Sequence, residues 1–195
     1  MFDQQPSLSH HRSKRTSPPV WPLPSLDRNP CAIPRKTQGL DLAYERKHAD
    51  DLLDLYPPNS SNGSGEHFMP NSVPCFVVAD GVIAYAGKQA NCYAVIVDHQ
   101  NGWATYYTNL EHMFAMPTNR GARARAERVK AGDVLGFVGS ALPGTMKCLH
   151  FELWKLGDDG HYENVAPLQH MRTWLVLPWS DGINPTDSAE FPAAA

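Results

Sequence analysis

Val78-Ala79-Asp80-Gly81-Val82-Ile83-Ala84-Tyr85-Ala86-Gly87 sets the character of this chain. Two short apolar runs, Cys75 to Ala79 and Val82 to Ala86, flank Asp80-Gly81, a dipeptide that readily takes the left-handed backbone of a two-residue hairpin turn. The pattern recurs downstream. Tyr93 to Asp98 and Ala104 to Leu110 flank His99-Gln100-Asn101-Gly102-Trp103, where Asn101-Gly102 is a second turn signal, and Val134 to Val138 and Leu149 to Lys155 complete the set. Runs of β-branched and aromatic residues spaced by roughly 8–12 residues, with little helical periodicity between them, predict an all-β core. The expected architecture is an antiparallel β-sandwich or partly closed barrel with irregular N- and C-terminal extensions.

Outward from that core the composition changes. Residues 1–36 carry prolines at 6, 18, 19, 22, 24, 30 and 34, with a basic patch at His10-His11-Arg12-Ser13-Lys14-Arg15. They show neither strand nor helix periodicity and read as an extended arm, irregular or ordered against a partner subunit. The β domain is placed at 37–172, with 42–69 as a loop or insertion. Within it, Glu45 to Tyr56 carries Leu52, Leu53 and Leu55 among charges and reads as a short helix or irregular segment, closed by the loop Pro57-Pro58-Asn59-Ser60-Ser61-Asn62-Gly63-Ser64-Gly65. Neither piece suggests core. Residues 173–195 form the C-terminal extension. Between Pro117 and Lys130, Arg120, Arg123, Arg125 and Arg128 fall in a connection that is either a solvated loop or a contact for an anionic polymer, phosphate or acidic surface.

Bulk properties fit one domain with tails: 195 residues, 42% hydrophobic, formal net charge -3. That charge gives no ground for specific nucleic-acid binding. No run of about 18 apolar residues is present, so no transmembrane segment is expected. The N-terminus, Met-Phe-Asp-Gln-Gln-Pro, lacks the apolar core of a secretory signal and implies synthesis in the cytoplasm without a signal peptide. Cys31, Cys75, Cys92 and Cys148 have no Cys-x-x-Cys spacing and are expected as reduced, buried small hydrophobes.

One strand carries chemistry. In Lys147-Cys148-Leu149-His150-Phe151-Glu152-Leu153-Trp154, side chains two apart share a face, so Cys148 and His150 point into one site. A thiol and an imidazole are both zinc ligands. Phe151 and Leu153 then face the core, and Glu152 is either a carboxylate supporting His150 or a solvent position.

Five segments over about residues 37–170 resemble, in order, the M23 (LytM, lysostaphin-like) zinc metallopeptidases. They are Val78 to Gly87, Ala94-Val95-Ile96-Val97-Asp98-His99, Trp103-Ala104-Thr105-Tyr106-Tyr107, Val129-Lys130-Ala131-Gly132-Asp133-Val134-Leu135-Gly136-Phe137-Val138-Gly139 and Leu149 to Trp154. The resemblance implies a LytM-type fold and a zinc endopeptidase that cuts peptide cross-links of bacterial peptidoglycan. It implies a metal held by a His-x-x-x-Asp pair and by the second histidine of His-x-His. Two more histidines, the first of His-x-His and one in a Tyr-x-His-Leu strand, assist catalysis. Three protein ligands leave zinc an open position for a water with pKa near about 7.

Carried onto this chain, the His-x-x-x-Asp pair falls on Thr37 and Asp41, within Thr37-Gln38-Gly39-Leu40-Asp41. A competing register gives Asn62 and Glu66, with His67 next door. The strand histidine falls on Asn109, with His112 two residues beyond Leu110, and the His-x-His pair on Cys148 and His150. Only Asp41 and His150 keep the family's residue types. Two ligands hold a catalytic metal poorly unless Cys148, His67 or His112 substitutes, and each lost imidazole removes a factor of about 10²–10⁴ in rate. The resemblance with these departures implies a catalytically degenerate M23 domain that serves as a structural or peptidoglycan-peptide-binding module. No cofactor is expected, and Asp41, Cys148 and His150 are the place for any residual zinc. The alternative is an active zinc-dependent peptidoglycan endopeptidase with a rearranged site. Expected partners are peptidoglycan peptides or neighbouring subunits of an assembly. A wall-directed fold made without a signal peptide is expected on a phage virion or injection machine, with the arm and Trp174 to Pro192 against neighbours. His99 reads as a turn residue, and His10, His11, His161 and His170 as solvated.

Overall fold

The period-two alternation of Leu149 to Trp154 is realised in three dimensions: Leu149, Phe151 and Leu153 are buried, while His150, Glu152 and Trp154 turn to the opposite, half-exposed face. The computed structural model describes residues 17–33, 38–46, 60–61, 63–115 and 127–179. Its elements in chain order are β1 (Pro30–Ile33), β2 (Leu40–Glu45), β3 (Gly63–Ser64), β4 (His67–Phe68), β5 (Pro74–Phe76), β6 (Gly81–Gln89) and β7 (Cys92–Asp98). They continue with β8 (Trp103–Met113), β9 (Arg128–Val129), β10 (Val134–Val138), β11 (Leu149–Leu156), β12 (Tyr162–Val165) and a single turn of helix, α1 (Pro167–Met171). Among these residues no helix is long and apolar enough to cross a membrane.

The strands pair antiparallel into one sheet that does not close, running β3-β4-β2-β11-β8-β7-β6-β9, with β1 on β2, β12 on β11, and β10 joining β5 to β8. The all-β, antiparallel architecture read from the sequence is therefore present. Tyr44, Phe68, Leu42, Leu110, Tyr107, Leu149 and Phe151 fill the core. The longest strand, β8, changes partner along its length. Its first half lies between β7 and β11, and its end pairs with β10. The change falls at Asn109, whose φ of 66° is the left-handed region that asparagine tolerates better than most residues. Such a bend is how a strand passes from one packed layer to the next. Gly136 permits the crossing, because a Cβ there would sit 2.0 Å from the His112 carbonyl oxygen.

The turns divide. The hairpin expected at His99 to Trp103 forms, closed by a bond from the His99 amide to the Trp103 carbonyl and by Gly102 at φ 83°. Asp80-Gly81 is not a hairpin. Neither residue has positive φ, β5 pairs with β10, and β6 pairs with β7 and β9. Asp80 instead accepts a bond from the Ala131 amide 51 residues away, so the dipeptide serves a long-range contact rather than a local turn.

Two stretches read as a loop or insertion and as an extended arm contribute residues to the core. Leu42, Ala43 and Tyr44, read within a loop or insertion, are buried in β2, which lies between β1 and β11. In the proline-rich segment, Val20 and Leu23 are buried, and the Tyr44 hydroxyl donates to the Pro24 carbonyl. Residues 20–25 run parallel to 175–178, through bonds such as Trp21 amide to Leu175 carbonyl and Ser25 amide to Leu177 carbonyl. These described parts of the two extensions pack on their own domain, because prolines spaced through an extended chain leave enough donors to pair on one side. The basic patch at 10–15, the leucines at 52–55 and the arginines at 120, 123 and 125 lie outside the described residues.

Candidate functional site

The site is assembled by register. Strand β2 pairs with β11 so that Asp41 stands opposite His150, and β11 pairs with β8 so that Thr108 and Tyr106 stand opposite His150 and Glu152. His150 Nδ1 lies 3.1 Å from Asp41 Oδ1, and its Nε2 lies 2.9 Å from Glu152 Oε1. All three side chains are 12–15% exposed, sheltered but reachable. Ionised carboxylates only accept hydrogen bonds, so both bonds exist together when the ring carries a proton on each nitrogen. Glu152 is anchored in turn: its Oε2 accepts from Trp154 Nε1 at 2.6 Å and from Asn164 Nδ2 at 3.0 Å.

Gly39 makes this geometry possible. Its φ of 82° is left-handed, and a Cβ at this position would lie 2.8 Å from Glu152 Cγ, 2.8 Å from the Phe151 carbonyl and 2.9 Å from His150 Cε1. Only a residue without a side chain lets β2 approach β11 here.

Cys148 and Asn109 form a separate pair. The Asn109 amide donates to the Cys148 carbonyl at 3.1 Å and approaches its sulfur at 3.7 Å. Backbone bonds from Gly139 to the Asn109 carbonyl and from Cys148 to the Gly139 carbonyl close the arrangement. Asn109 is thus buried at the bend of β8, held by its side chain and its backbone. His67, from the competing register, pairs with Glu45, four residues along β2 from Asp41 and so about 13 Å away. His112 is exposed against Phe137 on the far end of β8. Thr37 and Asn62 lie outside the described residues, and Glu66 is exposed beside β4.

His99 is more than a turn residue. Its Nδ1 lies 3.0 Å from the Asp80 carbonyl and its Nε2 2.9 Å from the Thr105 hydroxyl. Thr105 is bonded to the Tyr107 hydroxyl at 2.9 Å, and that hydroxyl accepts the Val78 amide at 3.0 Å. Burial pushes the His99 imidazole below its ordinary value, against the opposing pull of nearby carbonyls and aspartates. Because a carbonyl can only accept, the neutral ring keeps its proton on Nδ1. Of the cysteines, Cys75 and Cys92 are buried, whereas Cys31 and Cys148 are only partly so, and none of the four is joined in a disulfide.

Sequence reasoning named Asp41 and His150 and weighed Glu152. It missed Tyr106, Trp154, Asn164 and Gly39. The alternation along β11 places Trp154 on the site face, but Tyr106 and Asn164 enter only through strand pairing.

A family model for peptidase family M23 matches residues 64–166, just over half of the chain, and the chain belongs to that family. The match takes in Asn109, Cys148 and His150 and begins after Asp41. Cell division protein DipM of Caulobacter vibrioides is 38% identical over 86 residues, covering 43% of this chain and 13% of that protein. DD-carboxypeptidase/endopeptidase Mpg of Neisseria meningitidis serogroup B is 35% identical over 89 residues, 45% of this chain and 18% of that one. This chain thus aligns with less than a fifth of either relative. Among solved structures, a Ruminococcus gnavus chain assigned as a glycyl-glycine endopeptidase LytM superposes with a TM-score of 0.54 at 17% identity, covering 84% of this chain and 64% of that one. A chain from Pseudomonas aeruginosa assigned to peptidase M23 gives 0.50 at 18%, covering 78% and 49%. At those identities the likeness is one of fold.

Zinc is the metal this family implies, and the donors among the described residues do not complete a site for it. Asp41 and Glu152 occupy the two nitrogens of His150, the Cys148 sulfur turns toward Asn109, and among the described residues no three of His, Cys, Asp and Glu are grouped to hold a metal ion. A tetrahedral catalytic site needs three such donors around one point.

Proposed function

We propose that this M23 domain is a non-catalytic module that holds peptidoglycan peptides, or a neighbouring protein surface, on the face its relatives use for cleavage. The bridge Asp41–His150–Glu152 carries the reading. With a carboxylate oxygen within hydrogen-bond distance of each ring nitrogen, His150 is engaged on both sides, and a metal would have to displace one of these contacts. Membership of the M23 family and similarity to a protein named DD-carboxypeptidase/endopeptidase support a link to the bacterial wall. Asn109 and Cys148 at the positions of the assisting histidines remove the proton-transfer groups that turnover would need.

The test pairs metal analysis of protein purified without chelators with incubation on isolated sacculi. Sacculus binding that survives chelation, without released peptides, is the expected result. Stoichiometric zinc together with fragment release that disappears in His150→Ala would establish the alternative of a rearranged but active peptidase.

A further inference from the structure

On the core side of the sheet, a cavity of about 330 Å³ lies between β8, β11 and the two paired ends of the described chain. Its buried floor includes Leu153 and Thr105, which stand opposite each other on the face of β11 and β8 that points away from His150 and Glu152. Val78 and Leu153 make that floor apolar, while the polar atoms of His99 and Thr105 pair with each other at 2.9 Å. Trp103 and Trp174 form the walls. Trp103 carries the Lys155 ammonium 5.8 Å from its ring centroid and the His170 ring at 5.1 Å, and Trp174 lies 6.1 Å from Phe151. The next residue along from Trp174 donates its amide to the Pro19 carbonyl at 2.9 Å, so this wall is held by the pairing of the two chain ends.

The lining chooses the ligand's chemistry. No lysine, arginine, aspartate or glutamate among the described residues lines the cavity. The indoles of Trp21 and Trp154 donate to the Met171 carbonyl and to Glu152, but those of Trp103 and Trp174 have no acceptor among the described residues. Asn101, at the mouth, uses its Oδ1 for the Trp103 amide at 3.1 Å, and its Nδ2 has no partner among the described residues. Indole N–H and amide NH2 groups only donate. The complement is a neutral molecule with an apolar body and outward oxygen acceptors, since a charged one would lose hydration here without a counter-charge. A cavity of this size takes a small molecule or one ring of a chain. An acetamido pyranose meets each condition: its C–H face is apolar, its acetyl group offers a methyl and a carbonyl, and its hydroxyls accept. We propose that this cavity binds a neutral acetamido sugar, with the ring against Trp174, the acetyl methyl toward Val78 and Leu153, and its oxygens on the Trp103, Trp174 and Asn101 donors. This site lies apart from the His150 face and goes beyond the function assigned to that face.

N-acetylglucosamine and glucose serve as probes, titrated against the full chain while the indole Nε1–H resonances of Trp103, Trp154 and Trp174 are followed. The acetamido sugar binds in the millimolar range and moves Trp103 and Trp174, and glucose, which lacks the acetyl contacts, binds about tenfold more weakly. Affinity is the same at low and high salt, as a site without charged lining requires. Asn101→Asp keeps the acceptor for the Trp103 amide and removes both donors, and Trp174→Phe keeps a ring and removes one donor. Each lowers affinity about fivefold, with thermal unfolding confirming that both variants fold, and saturating sugar raises the parent's unfolding midpoint. Equal binding of the two probes, unmoved Trp103 and Trp174 resonances at tens of millimolar sugar, or a shift of Trp154 alone overturns the inference. The two readings fail separately: zinc-dependent sacculus cleavage would sink the non-catalytic function, whereas indifference to the acetamido sugar sinks only this site.

Discussion

At the residue scale, His150 is best understood as a strut between strands. Its two bonds tie β2 to β11 and fix Glu152 beside it. Replacing one partner leaves sheltered polar groups unmatched, so His150→Gln should lower stability by about 1.5–3 kcal/mol in denaturant titration, and a chelator should leave the parent's unfolding midpoint in place. A midpoint that falls on chelation would mean that metal, not the bridge, holds these strands. Gly39→Ala is a second probe. It forces a left-handed alanine and drives a methyl into Glu152 and His150, and a loss of at least about 1–2 kcal/mol is expected from the backbone alone. Restoration tests the family logic: Thr37→His, Asn109→His and Cys148→His together should raise zinc content toward one per chain, while Cys148→His alone should not. The residue types Asp41 and His150 were legible in the sequence. Their mutual bond was not, since their partnership spans 109 residues.

At the scale of elements, β8 decides the shape of the site. Asn109 is where the strand leaves β11 for β10, while its pairing with β7 runs on to Leu110, and its side chain secures the Cys148 carbonyl. Asn109→Ala loses that bond and the tolerance for positive φ, at a cost of about 1–3 kcal/mol by equilibrium unfolding. An alanine variant as stable as the parent would remove the bend from the account. The neighbouring relay from His99 through Thr105 to Tyr107 gives a pH prediction. The folded protein binds the His99 proton less readily than the unfolded chain, whose value is the ordinary 6.5. The contribution is therefore complete above about pH 6.5 and is lost as pH falls toward the lower folded value. Unfolding midpoints from pH 7.5 to 5 should fall more steeply for the parent than for His99→Gln, and equal slopes would refute the relay's role. The strands themselves were readable as short apolar runs between turn residues, as β10 at Val134–Val138 shows. Asp80-Gly81 misled because a turn dipeptide reports local preference, while Asp80 is held by the distant Ala131 amide.

For the whole molecule, the two ends of the described chain strap the domain. Leu23 is fully buried, and residues 20–25 run beside 175–178. Leu23→Ala should cost about 2–5 kcal/mol, as for other core leucines. A change below half a kilocalorie per mole would show that the strap is peripheral. Prolines in this segment made it read as an arm, since composition records the absence of regular periodicity and not what an extended chain lies against. What the sequence by itself determined was the all-β class and the inward and outward faces of β11. Both follow from residue identity and from the two-residue period of a strand, which are local properties. Tertiary structure alone decided which strands meet. That choice set Asp41 opposite His150 and aligned Tyr85, Ile96, Tyr106 and Glu152 in one row. Pairing is settled by the burial of a shared core over long sequence separations, and no local pattern encodes it.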